Sequence, residues 1–515
     1  MKKNFVKSRW LFTMLLFVTT MIMPTMMLAK SITPTTPKGD GEGTPYQISN
    51  AAELYWFADL VNGGGNASAN AILTADITVN NGVLDAIKNQ SESDFIPWTP
   101  IGSSKIGSSS YTGTFDGQGH TISGLYFNDP AASGVGLFGV IVGGKISNVG
   151  ISDSYFQFDQ LGGGVCGTNF SGVLQNCSNS STVNGKNGHI GGVCGENYGT
   201  IRSCCNTGSV RGTGEKVGSV CGNDASYGIT NCYYLSGTAP RGDASAYAVE
   251  KSKEQFASGE VALLLNAQGL GEQVWGQHLG IDPSPVPGSD YKVIKVVKGD
   301  NDTYWATFSN QKNDVTLSVP SGRNLNVYNA TVSGGKMTLT VRDNQVAMGE
   351  GVLLKTDGEY VNAKTHETTG LQKVPYNENN LVATPAVAQT IPAETGYMLY
   401  RLTYNDATNK LGLGFYLSVD KDSWTSAGMS LKATPGKAYL QVDENEVKDP
   451  SSEALTRSFV FGGGSETTGI DEITIMGTDV QRHGTIEGIF DLQGRKISNP
   501  TKGIYIKNNK KVIIK

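Results

Sequence analysis

Histidine is scarce in this chain: five residues in 515, and none of His120, His189, His278, His366 and His483 belongs to a His-Glu-x-x-His pair. That spacing would put two imidazoles and a general base on one helix face, so the common zinc-peptidase signature is excluded. A Gly-x-Ser-x-Gly elbow and a Gly-x-x-x-x-Gly-Lys-Ser/Thr loop are also missing, which removes the usual marks of serine hydrolases and phosphate-cradling enzymes. The seven cysteines include no Cys-x-x-Cys pair, and a row of cysteines does not converge on a metal. Charged residues make up only 17%, below the usual ~25%, and the net charge is −5. Such a balance lacks the basic footprint of a nucleic-acid binder.

What the chain has in excess is glycine, 66 residues, nearly twice the usual share of ~7%. Much of it falls in one unit that recurs four times. The copies open with Val135-Gly-Leu-Phe-Gly139, Gly163-Gly-Val-Cys-Gly167, Gly191-Gly-Val-Cys-Gly195 and Val217-Gly-Ser-Val-Cys-Gly222. Each continues into an apolar-x-x-apolar element: Ile146-Ser-Asn-Val149, Leu174-Gln-Asn-Cys177, Ile201-Arg-Ser-Cys204 and Ile229-Thr-Asn-Cys232. Phe138, Cys166, Cys194 and Cys221 lie 28, 28 and 27 residues apart, and Val149, Cys177, Cys204 and Cys232 lie 28, 27 and 28 apart. A unit this short cannot bury its apolar face alone, so a fixed period signals stacked coils.

Several glycines per unit argue against helices, at a cost of about 1 kcal/mol each in a helix interior. Short apolar bursts broken by Asn-Tyr-Gly or Gly-Lys-Asn-Gly describe short strands and tight turns. Stacked coils place equivalent residues ~4.8 Å apart, so each repeated side chain becomes a vertical ladder. The expected fold is all-β: a right-handed parallel β-helix with helical caps, then β-sandwich modules and a small C-terminal β tail. Six cysteines fall on the two ladders, and Cys205 points away from the face that Cys204 occupies. Stacked cysteines are close enough for disulfides, which need Cα separations of about 4.4–6.8 Å. The competing reading, favoured by Phe138 and Val149 at equivalent positions, is cysteine as a small core hydrophobe.

These repeats resemble the GLUG motif of bacterial surface proteins, most closely in Gly191-Gly-Val-Cys-Gly-Glu-Asn-Tyr-Gly-Thr-Ile-Arg-Ser-Cys204. The likeness extends upstream to Gly113-Thr-Phe-Asp-Gly-Gln-Gly-His-Thr-Ile-Ser-Gly-Leu125, similar to the entry coil of such proteins. It implies a β-helix and an exported location. Some relatives with these repeats carry a zinc peptidase on a separate domain, and that domain's signature is missing here. At the other end, Gly488-Ile-Phe-Asp-Leu-Gln-Gly-Arg-Lys-Ile497, Lys502-Gly-Ile-Tyr-Ile506 and Lys511-Val-Ile-Ile514 resemble the C-terminal sorting domain of type IX secretion in Gram-negative anaerobes. A terminal β-module without a sorting role is the alternative.

The remaining segments follow from local pattern. Residues 1–29 read as a signal peptide, with Lys2, Lys3, Lys7 and Arg9 before the apolar run Trp10 to Met23; a retained anchor is the rival. Residues 30–45 read as a linker, and 46–235 as the β-helix domain. Asn50 and Glu53 mark a capping box for a helix whose apolar stripe is Leu54, Phe57, Ala58 and Val61. Residues 236–290 read as a helical cap, with Phe256, Val261, Leu264 and Leu265 on one side of a helix from Lys251 to Asn266, followed by a Pro-rich linker. Period-two alternation over 291–465 predicts β-sandwich modules, and 466–515 the sorting-like tail.

No catalytic, cofactor-binding or metal-binding residues are assigned. Asp116 and His120 lie in a Gly-rich turn, Asp300-Asn-Asp302 lacks the spacing of a calcium loop, and Arg241-Gly-Asp243 is a tripeptide common by chance. Glu196, Arg202, Arg211 and Glu215 do not coincide from repeat to repeat, so no charged catalytic stripe emerges. The expectation is an exported, non-catalytic, adhesin-type surface protein that binds host or matrix glycans or glycoproteins, with Tyr155, Phe156 and Phe170 as candidate platforms. Secretion machinery is a further expected partner, with no nucleic acid and no membrane span once the signal is cleaved. The alternatives are a carbohydrate-active β-helix enzyme (a polysaccharide lyase or hydrolase) and a purely structural envelope component.

Overall fold

A computed structural model describes residues 30–91, 94–102, 110–240, 247–267, 274–299, 302–366, 370–405, 412–418, 429–447 and 458–460, and the backbone of five short strands between 473 and 514. The expected signal peptide and Arg241-Gly-Asp243 lie outside the described residues. The chain divides into two compact units. The first runs through Lys295 with Val319–Ser321 and Tyr360–Thr365; the second comprises Val296–Ser318, Gly322–Glu359 and the chain from His366 onward.

The first unit is a parallel β-solenoid of about six turns. Five parallel sheets run along it, two with seven strands, two with four and one with three. The register is the one the period dictates: Phe138, Cys166, Cys194 and Cys221 pair as direct neighbours in successive coils. On an adjoining sheet Phe115, Ile146, Leu174, Ile201 and Ile229 form an equivalent apolar row. Each apolar-x-x-apolar element ends in a corner whose third residue has positive φ: Asn148 (54°), Asn176 (53°), Ser203 (49°) and Asn231 (52°). Asparagine tolerates that left-handed conformation better than most residues, which explains its recurrence at the corner. The Gly-Gly-x-Cys-Gly opening has a steric cause: a Cβ on Gly191 would collide with the carbonyl oxygen of Cys194.

All seven cysteines are free and buried. Burial pushes the thiols of Cys177, Cys194, Cys204 and Cys221 well above their ordinary value of 9.0, and that of Cys205 up to about 12. The backbone amides of Cys177 and Cys204 approach the sulfurs of Cys204 and Cys232, each at 3.4 Å. Cysteine here is core filler with a weak acceptor.

Beside the cysteine row runs a buried amide ladder. Asn169 Nδ2 donates to Asn197 Oδ1 at 2.7 Å, and Asn197 Nδ2 donates to Asp224 Oδ1 at 2.7 Å. Each amide donates one hydrogen bond to the next coil, and the series ends on a carboxylate, which only accepts. Asn179 Nδ2 repeats the device on Asn206 Oδ1 at 2.8 Å.

Helix α1 (Ala51–Asn62) starts at Asn50, whose side chain accepts from the Glu53 amide at 3.1 Å, while Glu53 accepts from the Ser49 amide at 2.7 Å. It buries Leu54, Phe57, Ala58 and Val61 as expected, and Phe57 packs on Tyr111 and Phe115 at ring distances of 6.0 and 6.1 Å. Short helix α2 (Val83–Lys88) is held from outside its own coil by Asp153, which accepts from the amides of Gly82, Val83 and Leu84. The expected helix from Lys251 to Asn266 is two, α3 (Lys253–Ala257) and α4 (Glu260–Asn266), divided at Gly259 with φ 93°. They bury Phe256, Val261 and Leu265 against Cys205 and Tyr233, the outward neighbours of Cys204 and Cys232. The pair therefore covers the outer face of the last coils.

In the second unit a six-stranded and a five-stranded sheet enclose one core that includes Trp305, Tyr328, Leu353, Met398, Tyr400 and Phe415. Buried Glu350 anchors the loop before Gly351–Thr356, accepting from Arg342 Nη1 at 2.6 Å and from two backbone amides. Strand Ile473–Met476 joins the six-stranded sheet in parallel with Lys336–Arg342. Ile489–Phe490, Lys496–Ile497, Gly503–Lys507 and Lys510–Ile514 form an antiparallel four-stranded sheet, one strand more than the tail's pattern suggested.

The ladders generate three predictions. No cysteine should react with iodoacetamide in the native protein and all seven should react in urea, read by intact mass without reductant. The raised thiol values also make unfolding release protons above pH 9.0, so solenoid stability should fall as pH rises beyond 9.0. Asn197→Ala leaves Asn169 Nδ2 without one acceptor and Asp224 without its shortest donor, and should cost about 1–3 kcal/mol in urea unfolding.

Candidate functional site

The side chains that alternation turns outward are stacked as strictly as those turned inward. On the four-stranded sheet made of Tyr126–Asn128, Tyr155–Phe158, Thr182–Gly185 and Val210–Arg211, two outward rows lie side by side. One is aromatic, with Tyr126 paired to Tyr155 and then Thr182. The other is an amide row of Asn128, Gln157 and Asn184 that ends at Arg211. Between them Phe156, Val183 and Val210 point into the core, and Phe156 is fully buried. Phe156 is therefore no platform: its register with Val183 and Val210 places it inside.

Phe95 extends the aromatic row, 5.1 Å from Tyr126, and Tyr126 lies 6.2 Å from Tyr155 with ring planes 22° apart. All three are half-buried. Hydrogen bonds fix the amides: Asn128 Nδ2 donates to Tyr126 Oη at 3.0 Å, Tyr155 Oη to Gln157 Oε1 at 2.8 Å, and Asn184 Nδ2 to Gln157 Oε1 at 2.6 Å. These bonds use one end of each amide. Asn128 Oδ1, Gln157 Nε2 and Asn184 Oδ1 make no hydrogen bond among the described residues, and Arg211 is exposed. The face thus offers acceptor, donor, acceptor and cation in successive coils, beside apolar ring surface.

A second outward cluster lies where the cysteine-bearing sheet turns its corner. Exposed Phe170 and Tyr198 stack at 5.2 Å with planes 9° apart. Tyr198 Oη donates to Glu196 Oε1 at 2.9 Å, and His189 Nδ1 lies 3.0 Å from the same oxygen but off the line of a hydrogen bond. Glu196 thereby holds Tyr198 and faces His189, a contact that the repeat alignment did not reveal.

The other sequence candidates are dispersed. Asp116 accepts from the amide and side chain of Gln118 and from Asn148, as a turn-forming carboxylate does, while His120 Nδ1 lies 3.3 Å from Asp76. Arg202 donates to Gln175, and Glu215 is exposed. Asp302 pairs with Lys298 at 2.9 Å; Asp300 and Asn301 lie outside the described residues, as does His483. His366 Nε2 lies 2.8 Å from Thr316 Oγ1, and His278 stacks on Tyr291 at 3.9 Å. Among the described residues no three of His, Cys, Asp and Glu could hold a metal ion together. No described helix is long and apolar enough to cross a membrane.

No family model matches the chain. A stretch of 160 residues, 30% of this chain, is 33% identical to halomucin from Haloquadratum walsbyi, and spans 2% of that protein's length. Among solved structures, a Bacteroides ovatus chain provisionally described as an immunoglobulin A1 protease aligns with 48% of this chain and 93% of its own, at 18% identity and a TM-score of 0.34.

Since the free amide ends face solvent, they contribute little to folding. The double variant Gln157→Ala/Asn184→Ala should lower the unfolding free energy measured in urea by less than about 1 kcal/mol, below the cost of the buried Asn197→Ala.

Proposed function

We propose that this is an exported, non-catalytic surface protein of adhesin type that binds host or matrix glycans or glycoproteins through the tyrosine–amide face. The observation that carries this reading is the row of unsatisfied amide ends in register with half-exposed tyrosines. A sugar ring has an apolar CH face and hydroxyls that both donate and accept. Aromatic surface takes the first, and alternating amide oxygens and nitrogens take the second. The coil spacing of ~4.8 Å is close to the length of one pyranose ring, so successive coils can meet successive sugars. Repeat scaffolds present extended surfaces of this kind.

Export is supported by the basic and apolar N-terminal pattern and by the likeness to halomucin. The sorting-like tail is the segment through which secretion machinery would engage the chain. The sequence supports a non-catalytic role by carrying no His-Glu-x-x-His, Gly-x-Ser-x-Gly or Gly-x-x-x-x-Gly-Lys-Ser/Thr signature.

The test is a glycan array probed with the full chain from Lys30 onward, alongside Tyr155→Ala and Gln157→Ala/Asn184→Ala. Binding to at least one glycan class is expected, weakened tenfold or more in both variants at unchanged folding. Binding that both variants retain would move the site elsewhere. Release of reducing ends from a bound glycan would establish the carbohydrate-active enzyme instead. Silence on the array and on a panel of matrix proteins would favour the structural component.

A further inference from the structure

The second unit contains a cavity of about 200 Å³ where strand Tyr304–Ser309 meets Ala438–Asp443. Its walls are largely apolar, with Leu413, Leu431 and Tyr439 all buried. Among the described residues three cations line it, Arg401, Lys432 and Lys437, and no acidic side chain does. None of the three forms an ion pair among the described residues. Lys437 is half-buried at the cavity while Arg401 and Lys432 are exposed, and an ammonium that loses hydration without gaining a partner is held at a cost. Desolvation accordingly holds the Lys437 amine below the usual lysine range. The main chain of Lys437 is fixed, since its carbonyl accepts from Ser309 Oγ at 2.5 Å and from Thr384 Oγ1 at 2.8 Å. Lys437 thus enters the cavity wall from a fixed backbone position immediately before strand Ala438–Asp443.

We infer that this cavity binds a small carboxylate with an apolar body. The carboxylate supplies the missing acceptor for Lys437, with Arg401 and Lys432 at the rim, and a charge-assisted bond of this kind is stronger than a neutral one. The leucine and tyrosine walls take the apolar body. A volume below the ~300–1,000 Å³ of drug-sized sites limits the ligand to a short-chain or single-ring acid. This site is independent of the tyrosine–amide face, and its test does not depend on glycan binding.

Isothermal titration of the full chain from Lys30 with benzoate and hexanoate tests the assignment, with benzamide as the uncharged control. Saturable binding of at least one acid is expected, with benzamide tenfold or more weaker. Lys437→Met removes an unpaired cation and should leave folding intact while weakening the acid at least tenfold; Arg401→Gln, at the exposed rim, should weaken it less. Equal binding of benzoate and benzamide, undiminished binding to Lys437→Met, or no saturable binding of either acid at millimolar concentration would overturn the proposal. Inorganic phosphate competing as well as benzoate would overturn the apolar half of the assignment.

Discussion

In-register parallel pairing of one coil with the next is the constraint on which the rest of the first unit depends. A strand of two to five residues satisfies its backbone only through the coils above and below. Every position in the repeat is then forced beside its own copy. Identical neighbours suit apolar side chains and amides, and they penalise stacked like charges. The interior accordingly holds rows of Ile, Val, Phe and Cys, and the buried polar rows are asparagines. An amide can donate to one copy of itself while accepting from another. The ladder also needs a terminator, and Asp224 provides one.

The same constraint makes surface chemistry repetitive. Tyr126 and Tyr155, or Asn128, Gln157 and Asn184, occupy equivalent outward positions, so a pattern set in one coil is repeated one coil further on. Such a surface suits a ligand that is itself repetitive and poorly suits one that needs three groups to converge on a point. Convergence is found instead in the second unit, where residues from Val297 to Tyr439 line one cavity and Arg401, Lys432 and Lys437 meet at it.

Legibility followed the period. The coils, both cysteine rows and the α1 stripe could be read from the chain because each depends on spacing alone. The amide ladder has the same spacing, with Asn169, Asn197 and Asp224 lying 28 and 27 residues apart, yet its asparagines read as turn residues. Phe156 was read as exposed, although its alignment with Val183 and Val210 already placed it inside. The segment between the first coils broke the repeat and gave no signal, though Ile101 and Tyr111 form parallel bridges to Phe138 and Ile141, and Trp98 Nε1 donates to Gly136 O at 3.0 Å. The helices after the last coil were visible, but their seat was not, because the outward apolar pair Cys205 and Tyr233 interrupts the alternation that would announce a solvent face.

If register is the governing constraint, one whole period can be removed without loss of fold. Excising Thr168–Gly195 brings Glu196 into the position of Thr168 and Cys221 beside Cys166. The shortened chain should remain monodisperse, keep its β-sheet circular dichroism and unfold cooperatively in urea with a smaller m value. Excising half a period, Thr168–Ser181, should abolish cooperative unfolding. Equal tolerance of both deletions, or collapse of the whole-period variant to an unfolded or aggregated chain, would contradict the account.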